Sequence, residues 1–125
     1  MNNYQNKQTG ILGEDLASSY LKDLNYQIVC RNYHSRYGEI DIIVLDQDEL
    51  VFVEVKTRSS SYEDALNSIS RAKQQKLYKT AGMYLASHPK YENHFTRFDV
   101  IVVLKHSKKG NKPEIFHLKE AFSSV

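Results

Sequence analysis

Gly38-Glu39-Ile40-Asp41-Ile42-Ile43-Val44-Leu45, the gap Asp46-Gln47-Asp48-Glu49, and Leu50-Val51-Phe52-Val53-Glu54-Val55-Lys56 together decide the fold. Two nearly continuous apolar runs joined by a short polar gap read as a β-hairpin. A two-residue turn at Gln47-Asp48, or a four-residue loop over the gap, gives one register: Leu45 opposite Leu50, Ile43 opposite Phe52, Asp41 opposite Glu54. Directly opposed residues have Cβ atoms about 4.5–5.5 Å apart. Two carboxylates that close, on strands otherwise made for burial, repel each other unless a cation lies between them. Lys56 falls on the same face, diagonal to Asp41. The charged end of the hairpin therefore reads as a metal site with an ammonium beside it.

Both faces of the hairpin are apolar. Ile40, Ile42, Val44, Val51, Val53 and Val55 alternate onto one, and Ile43, Leu45, Leu50 and Phe52 onto the other. A sheet of that kind is covered on both sides. Upstream, Leu12, Leu16, Tyr20 and Leu24 recur every four residues, with Ala17 and Leu21 beside them, predicting a helix over 10–24. Thr9 or Gly10 would cap it, Asn25 would end it, and residues 1–9 read as polar and frayed. Tyr26 to Arg31 reads as a strand and Asn32 to Tyr37 as a loop. Downstream, 63–87 predicts one long helix stopped by Pro89, and Phe95 to Leu104 a strand. Residues 105–125 read as a basic turn, Lys108 to Pro113, followed by a short strand, Glu114 to Leu118. The order α-β-β-β-α-β-β predicts a single α/β domain over 1–125, a three-layer α/β/α sandwich with a mixed central sheet. The charged end of the hairpin would open into a cleft.

A chain of 125 residues, 41% hydrophobic and 26% charged, suits one soluble domain. No apolar run approaches the ~20 residues of a membrane span, and residues 1–7 lack a signal-peptide core. The single cysteine, Cys30, excludes an internal disulfide or a multi-cysteine zinc site and reads as a small buried hydrophobe. The expectation is a cytoplasmic protein. Residues 1–62 hold six Lys and Arg against nine Asp and Glu, net −3, whereas 63–125 hold eleven against six, net +5. An acidic half carrying the site beside a basic half suits a polyanion. The histidines show no metal-ligand spacing, and Asp99 reads as structural.

Phosphodiester hydrolysis needs a cation to hold the phosphate and activate a water. Mg²⁺ takes one or two carboxylates and keeps waters. Asp41 and Glu54 would supply the carboxylates and the Val55 carbonyl a third ligand, with Lys56 facing the phosphate. Glu14 reads either as a charge near a helix N-terminus or as an extra, water-mediated ligand. Lys73 lies on the inner edge of the long helix, while Arg31 and Arg58 flank the sheet end, all three being phosphate contacts or simply solvated. Glu39 would face Lys56 and hold it by a salt bridge, and Tyr33 and Tyr37 would stack bases or sit half-buried in their loop.

Asp41 followed after twelve residues by Glu54-Val55-Lys56 resembles the PD-(D/E)xK motif of the restriction-endonuclease-like nucleases, with Ile40 where the name has Pro. Glu14 matches that superfamily's helix Glu. A closer resemblance is to the YraN-type family of small bacterial endonuclease-like proteins. Gly13-Glu14, Arg31-Asn32, Gly38 to Asp41, Val51 to Arg58, Ile69 with Lys73, and Arg97 to Val100 carry it across residues 10–104. The site layout is also similar to that of archaeal Holliday-junction resolvases. The resemblance implies a Mg²⁺-dependent endonuclease, Mn²⁺ substituting, acting on nucleic acid, with DNA the expected polymer. A homodimer would suit paired cuts on a junction. The alternative is a non-catalytic nucleic-acid-binding module that retains the fold.

Overall fold

The computed structural model describes the backbone of residues 3–11 and the whole of residues 12–59, 61–106 and 112–123. Helix α1 (Asn3–Asp23) precedes three antiparallel strands, β1 (Gln27–Ser35), β2 (Gly38–Asp46) and β3 (Glu49–Arg58). Two helices follow, α2 (Tyr62–Asn67) and α3 (Arg71–Ser87), and a 3₁₀ turn at Pro89–Tyr91 leads into β4 (Phe95–Leu104). β4 lies parallel to β3, and β5 (Glu114–Phe122) returns antiparallel to it. The five strands stand in chain order, a mixed sheet with β3 at its centre.

The hairpin register is the expected one. Gln47 and Asp48 form a two-residue turn in which Gln47 takes φ 55°, and Leu45 pairs Leu50 while Ile43 pairs Phe52. On one face, Ala17 and Leu21 of α1 pack against Ile42, Val44, Val51, Val53, Ile101 and Val103. On the other, Leu77, Ala81 and Tyr84 of α3 cover Ile43, Leu50 and Phe52, while Ala65 of α2 lies over Val100 and Val102. These layers make the α/β/α sandwich. The alternation predicted for β2 fails at one place: Ile40 packs with Ile43 on the α3 side, although Ile42 packs on the α1 side. Opposite that slip, Asn32 of β1 takes φ 55°, between the pairs Arg31–Ile42 and Tyr33–Ile40. A left-handed residue inside a strand turns the local pleat. Asp41 sits at this turn.

Four elements differ from expectation. α1 starts at Asn3, so Thr9 and Gly10 lie inside it rather than capping it, and residues 3–9 of the segment expected to fray are helical. Its polar first turns carry no apolar period, which is why the pattern pointed only to 10–24. At its end Asn25 takes φ 67°, with Tyr26 N–H donating to Leu21 O at 3.0 Å and Asn25 N–H to Lys22 O at 2.9 Å. This is the double closure of a Schellman cap. The long helix of 63–87 is two helices, because Ser70 caps α3 by accepting the Lys73 N–H at 3.2 Å. β1 runs on to Ser35 and absorbs most of the predicted loop, leaving a turn at Arg36-Tyr37. β5 extends beyond Leu118 to Phe122, and most of the Lys108 to Pro113 turn lies outside the described residues.

At the end of the sheet away from the site, Asp99 is fully buried and binds Arg97 at 3.0 Å, His117 at 2.8 Å and the Glu120 N–H at 3.1 Å. Arg97 also reaches Glu49 at 2.7 Å, Asp46 at 3.0 Å and the Tyr26 hydroxyl at 3.1 Å. Burial opposes both charges, but the bonds from His117 and Arg97 outweigh it and hold the Asp99 carboxyl below its ordinary range. The structural role expected of Asp99 is its observed one. Asp99→Ala strands the buried Arg97 and is expected to destabilise the fold by about 3–5 kcal/mol in urea unfolding.

Candidate active site

The β2–β3 ladder ends at the pair Ile42–Val53, one step short of the facing carboxylates. Past it, the Asp41 Oδ2 accepts the Val55 N–H at 2.7 Å, so a side chain replaces the departing strand as partner for that amide. Val53 and Val55 pack on the α1 side, which leaves Glu54 and Lys56 to the other face by strand alternation. There Glu54 and Lys56 line a cleft of about 240 Å³ with Gly38, Glu39, Ile69, Lys73, Lys76 and Leu77. The Lys56 Nζ stands 3.5 Å from Glu54 Oε1, with both side chains largely buried at 15% and 16% exposure.

Asp41 is the hub. Glu14, from α1, and Glu54, from the central strand, both lie close enough to its carboxyl for its charge to act on them. Burial, then the Asp41 charge, pushes Glu54 up to about 8 despite the opposing pull of Lys56. The same two causes push Glu14 up to about 7. Near neutral pH, protons held by Glu54 and Glu14 thus relieve the crowding that the sequence would assign to a cation.

Glu14 reaches this place because its neighbour has no side chain. A Cβ on Gly13 would lie 1.9 Å from the Thr57 Oγ1 and 3.1 Å from its Cβ, so α1 rests on β3 at backbone distance. Sequence reasoning noted Gly13 only as part of a resemblance. A helical glycine directly before the candidate ligand was the available signal, and Thr57, its contact, lies too far along the chain to be paired with it.

The other expected residues divide. Lys73 lies at the cleft rim, and Lys76 joins it there. Arg31 stands near Glu14 but is held by Asp15 at 2.8 Å. Arg58 is half-buried and bonds the Thr57 carbonyl at 2.8 Å. The partner expected for Glu39 changes: it pairs with His34, its β1 neighbour, at 3.3 Å, while Lys56 is held by Glu54. Tyr33 is packed edge-on against Tyr84, 5.1 Å between centroids, which leaves Tyr37 as the half-buried turn tyrosine. Cys30 packs against the α3-side cluster, where burial pushes its thiol up.

A match to the model of the uncharacterised protein family UPF0102 extends over residues 13–103, from Gly13 through β4. The chain belongs to that family. Its membership bears out the YraN-type resemblance seen in the sequence. A UPF0102 protein of Acinetobacter baumannii (strain AYE) is 45% identical over 96 residues, covering 76% of this chain and 72% of its own length. One from Clostridium botulinum (strain Hall) is 41% identical over 109 residues, covering 86% of this chain and 89% of its own. Neither name carries an activity. Among the described residues, no helix is long and apolar enough to cross a membrane.

Two predictions follow from the geometry. Because Glu14 and Glu54 bind protons more tightly folded than unfolded, their contribution is full below about pH 4.5 and is lost as pH rises through 7 to 8. Thermal unfolding in EDTA should therefore show a melting point that falls across that window, and Glu54→Gln should flatten the fall. Gly13→Ala should lower stability even though alanine favours a helix by about 1 kcal/mol, and Thr57→Ala should rescue it in the double variant.

Proposed function

We propose that the chain is a metal-dependent nuclease that hydrolyses phosphodiester bonds at Asp41, Glu54 and Lys56, with Glu14 alongside. The observation that carries this reading is the crowding of Glu14 and Glu54 about Asp41, with Glu54 and Lys56 opening into a cleft that Lys73 and Lys76 also line. A purely structural cluster has no use for three carboxyls crowded closely enough to repel one another.

The donor set fits a hard divalent cation, being all oxygen and crowded with negative charge. Among the described residues no three acidic or imidazole groups already close around one point. Mg²⁺ does not require that, since it binds through one or two carboxylates and keeps its waters. Asp41 and Glu54 would hold it, with the Val55 carbonyl as a further ligand and Glu14 acting through water. Bound there, the cation supplies charge to the scissile phosphate and a water of lowered pKa. Lys56 meets the charge that grows on the phosphate oxygens, and its bond to Glu54 aims it. Lys73 and Lys76 draw the polyanion to the rim. The apolar floor of Ile69 and Leu77 limits water around the reacting group.

Purified protein with Mg²⁺ or Mn²⁺ is expected to cut one member of a panel of single-stranded, duplex, flap and four-way-junction substrates. Glu54→Gln and Lys56→Met should each lower the rate by about 10²–10³. Asp41→Asn keeps an acceptor for the Val55 amide, so it should stay folded while losing cleavage. Cutting that persists in EDTA, or survives both Glu54→Gln and Lys56→Met, would sink the assignment.

A further inference from the structure

We infer that the site takes a single strand of nucleic acid, laid along a basic ridge that leads from the cleft to the β1–β2 turn. The inference rests on the nuclease reading for the place of the cleft, and the ridge stands on observations of its own. Lys73, Lys76 and Lys79 follow one another at intervals of three along α3, a slanted row of exposed side chains advancing about 9 Å along the axis. The first two rim the cleft.

The row continues onto the turn. The Ser35 hydroxyl lies 3.2 Å from the buried Thr80 hydroxyl and accepts the Tyr37 N–H at 3.1 Å, which pins Arg36-Tyr37 to α3. Gly38 closes the gap, with φ 151° and a virtual Cβ only 4.0 Å from Lys76 Cβ. The Tyr37 ring then gathers two cations, the Lys79 Nζ at 5.6 Å and the Arg36 guanidinium at 4.9 Å from its centroid. Arg36 also donates to the Tyr37 hydroxyl at 2.9 Å. Flat aromatic and guanidinium surfaces at the end of a positive track are what unpaired bases stack on.

A duplex would need a second line of cations for its other backbone. On the α1 side, Arg31 is tied to Asp15 and stands near the acidic Glu14 and Asp41. Of the carboxylates on the ridge side, Glu39 lies 3.3 Å from His34 and Glu54 is bonded to Lys56. Charge thus favours one strand on one side.

Fluorescence anisotropy of a labelled 20-nucleotide strand, as DNA and as RNA, against the blunt duplex of the same sequence tests this. Working in EDTA makes the readout independent of hydrolysis. The wild type should bind at least one of the two single strands more tightly than the duplex. Lys76→Ala with Lys79→Ala should lower the slope of log affinity against log salt by about 1.4, at roughly 0.7 per phosphate contact. Tyr37→Leu should weaken single-strand binding about tenfold, as for one lost stacked base, with the slope kept. Duplex bound as tightly as both single strands, or a slope unmoved in the double variant, overturns the ridge. Ridge-dependent binding without cleavage would remove the nuclease reading alone, and cleavage indifferent to the ridge lysines would remove the ridge alone.

Discussion

The bond from the Val55 N–H to the Asp41 carboxylate, 2.7 Å long, is the constraint on which the rest of the site depends. A strand that leaves a sheet strands the amides it had paired, and a buried unpaired amide is costly. Asp41 fills that gap with its own side chain, so β2 can separate from β3 past Ile42–Val53. The separation opens the cleft. It also fixes Asp41 between the two layers, where Glu14 arrives from α1 and Glu54 from the sheet.

Around that fixed carboxylate the chain concentrates charge it has no structural reason to keep. Glu54 is mostly buried, and Lys56 is the cation bonded to it. The contrast with the opposite end of the sheet is instructive. There Asp99 and Arg97 are also buried, but every charge has a partner of opposite sign, and the network ties β2, β3, β4 and β5 together. One cluster is satisfied and holds the fold together. The other stays frustrated at neutral pH, which is the usual mark of a functional site.

Much of this was legible in the sequence because the decisive contacts are local. A two-residue turn fixes the register of both strands at once, so Asp41 and Glu54 could be set opposite each other by counting. The covering helices followed from apolar faces on both sides of the hairpin. Long-range partners were not legible. Nothing in the sequence ties Arg31 to Asp15 or Gly13 to Thr57, since each pairing depends on where α1 lies on the sheet. The break at Ser70 was hidden for another reason: the apolar stripe continues across it through Ile69 and Leu77, and capping chemistry prevailed over period. The slip at Asp41 was hidden by strict alternation, which a single left-handed Asn32 disturbs.

The order of the sheet has a consequence for how the molecule opens. β3 is hydrogen-bonded on both sides and covered on both faces, so freeing Glu54 and Lys56 means dismantling the domain. The turn bearing Arg36 and Tyr37 ends an outer strand, held to α3 through one pair of hydroxyls. Local unfolding free energies differ accordingly, being near the global value at the centre and small at the margin. The groups proposed to react are thus anchored to the most protected part of the chain, and the surface proposed to meet a nucleic acid belongs to the part that can breathe without disturbing them.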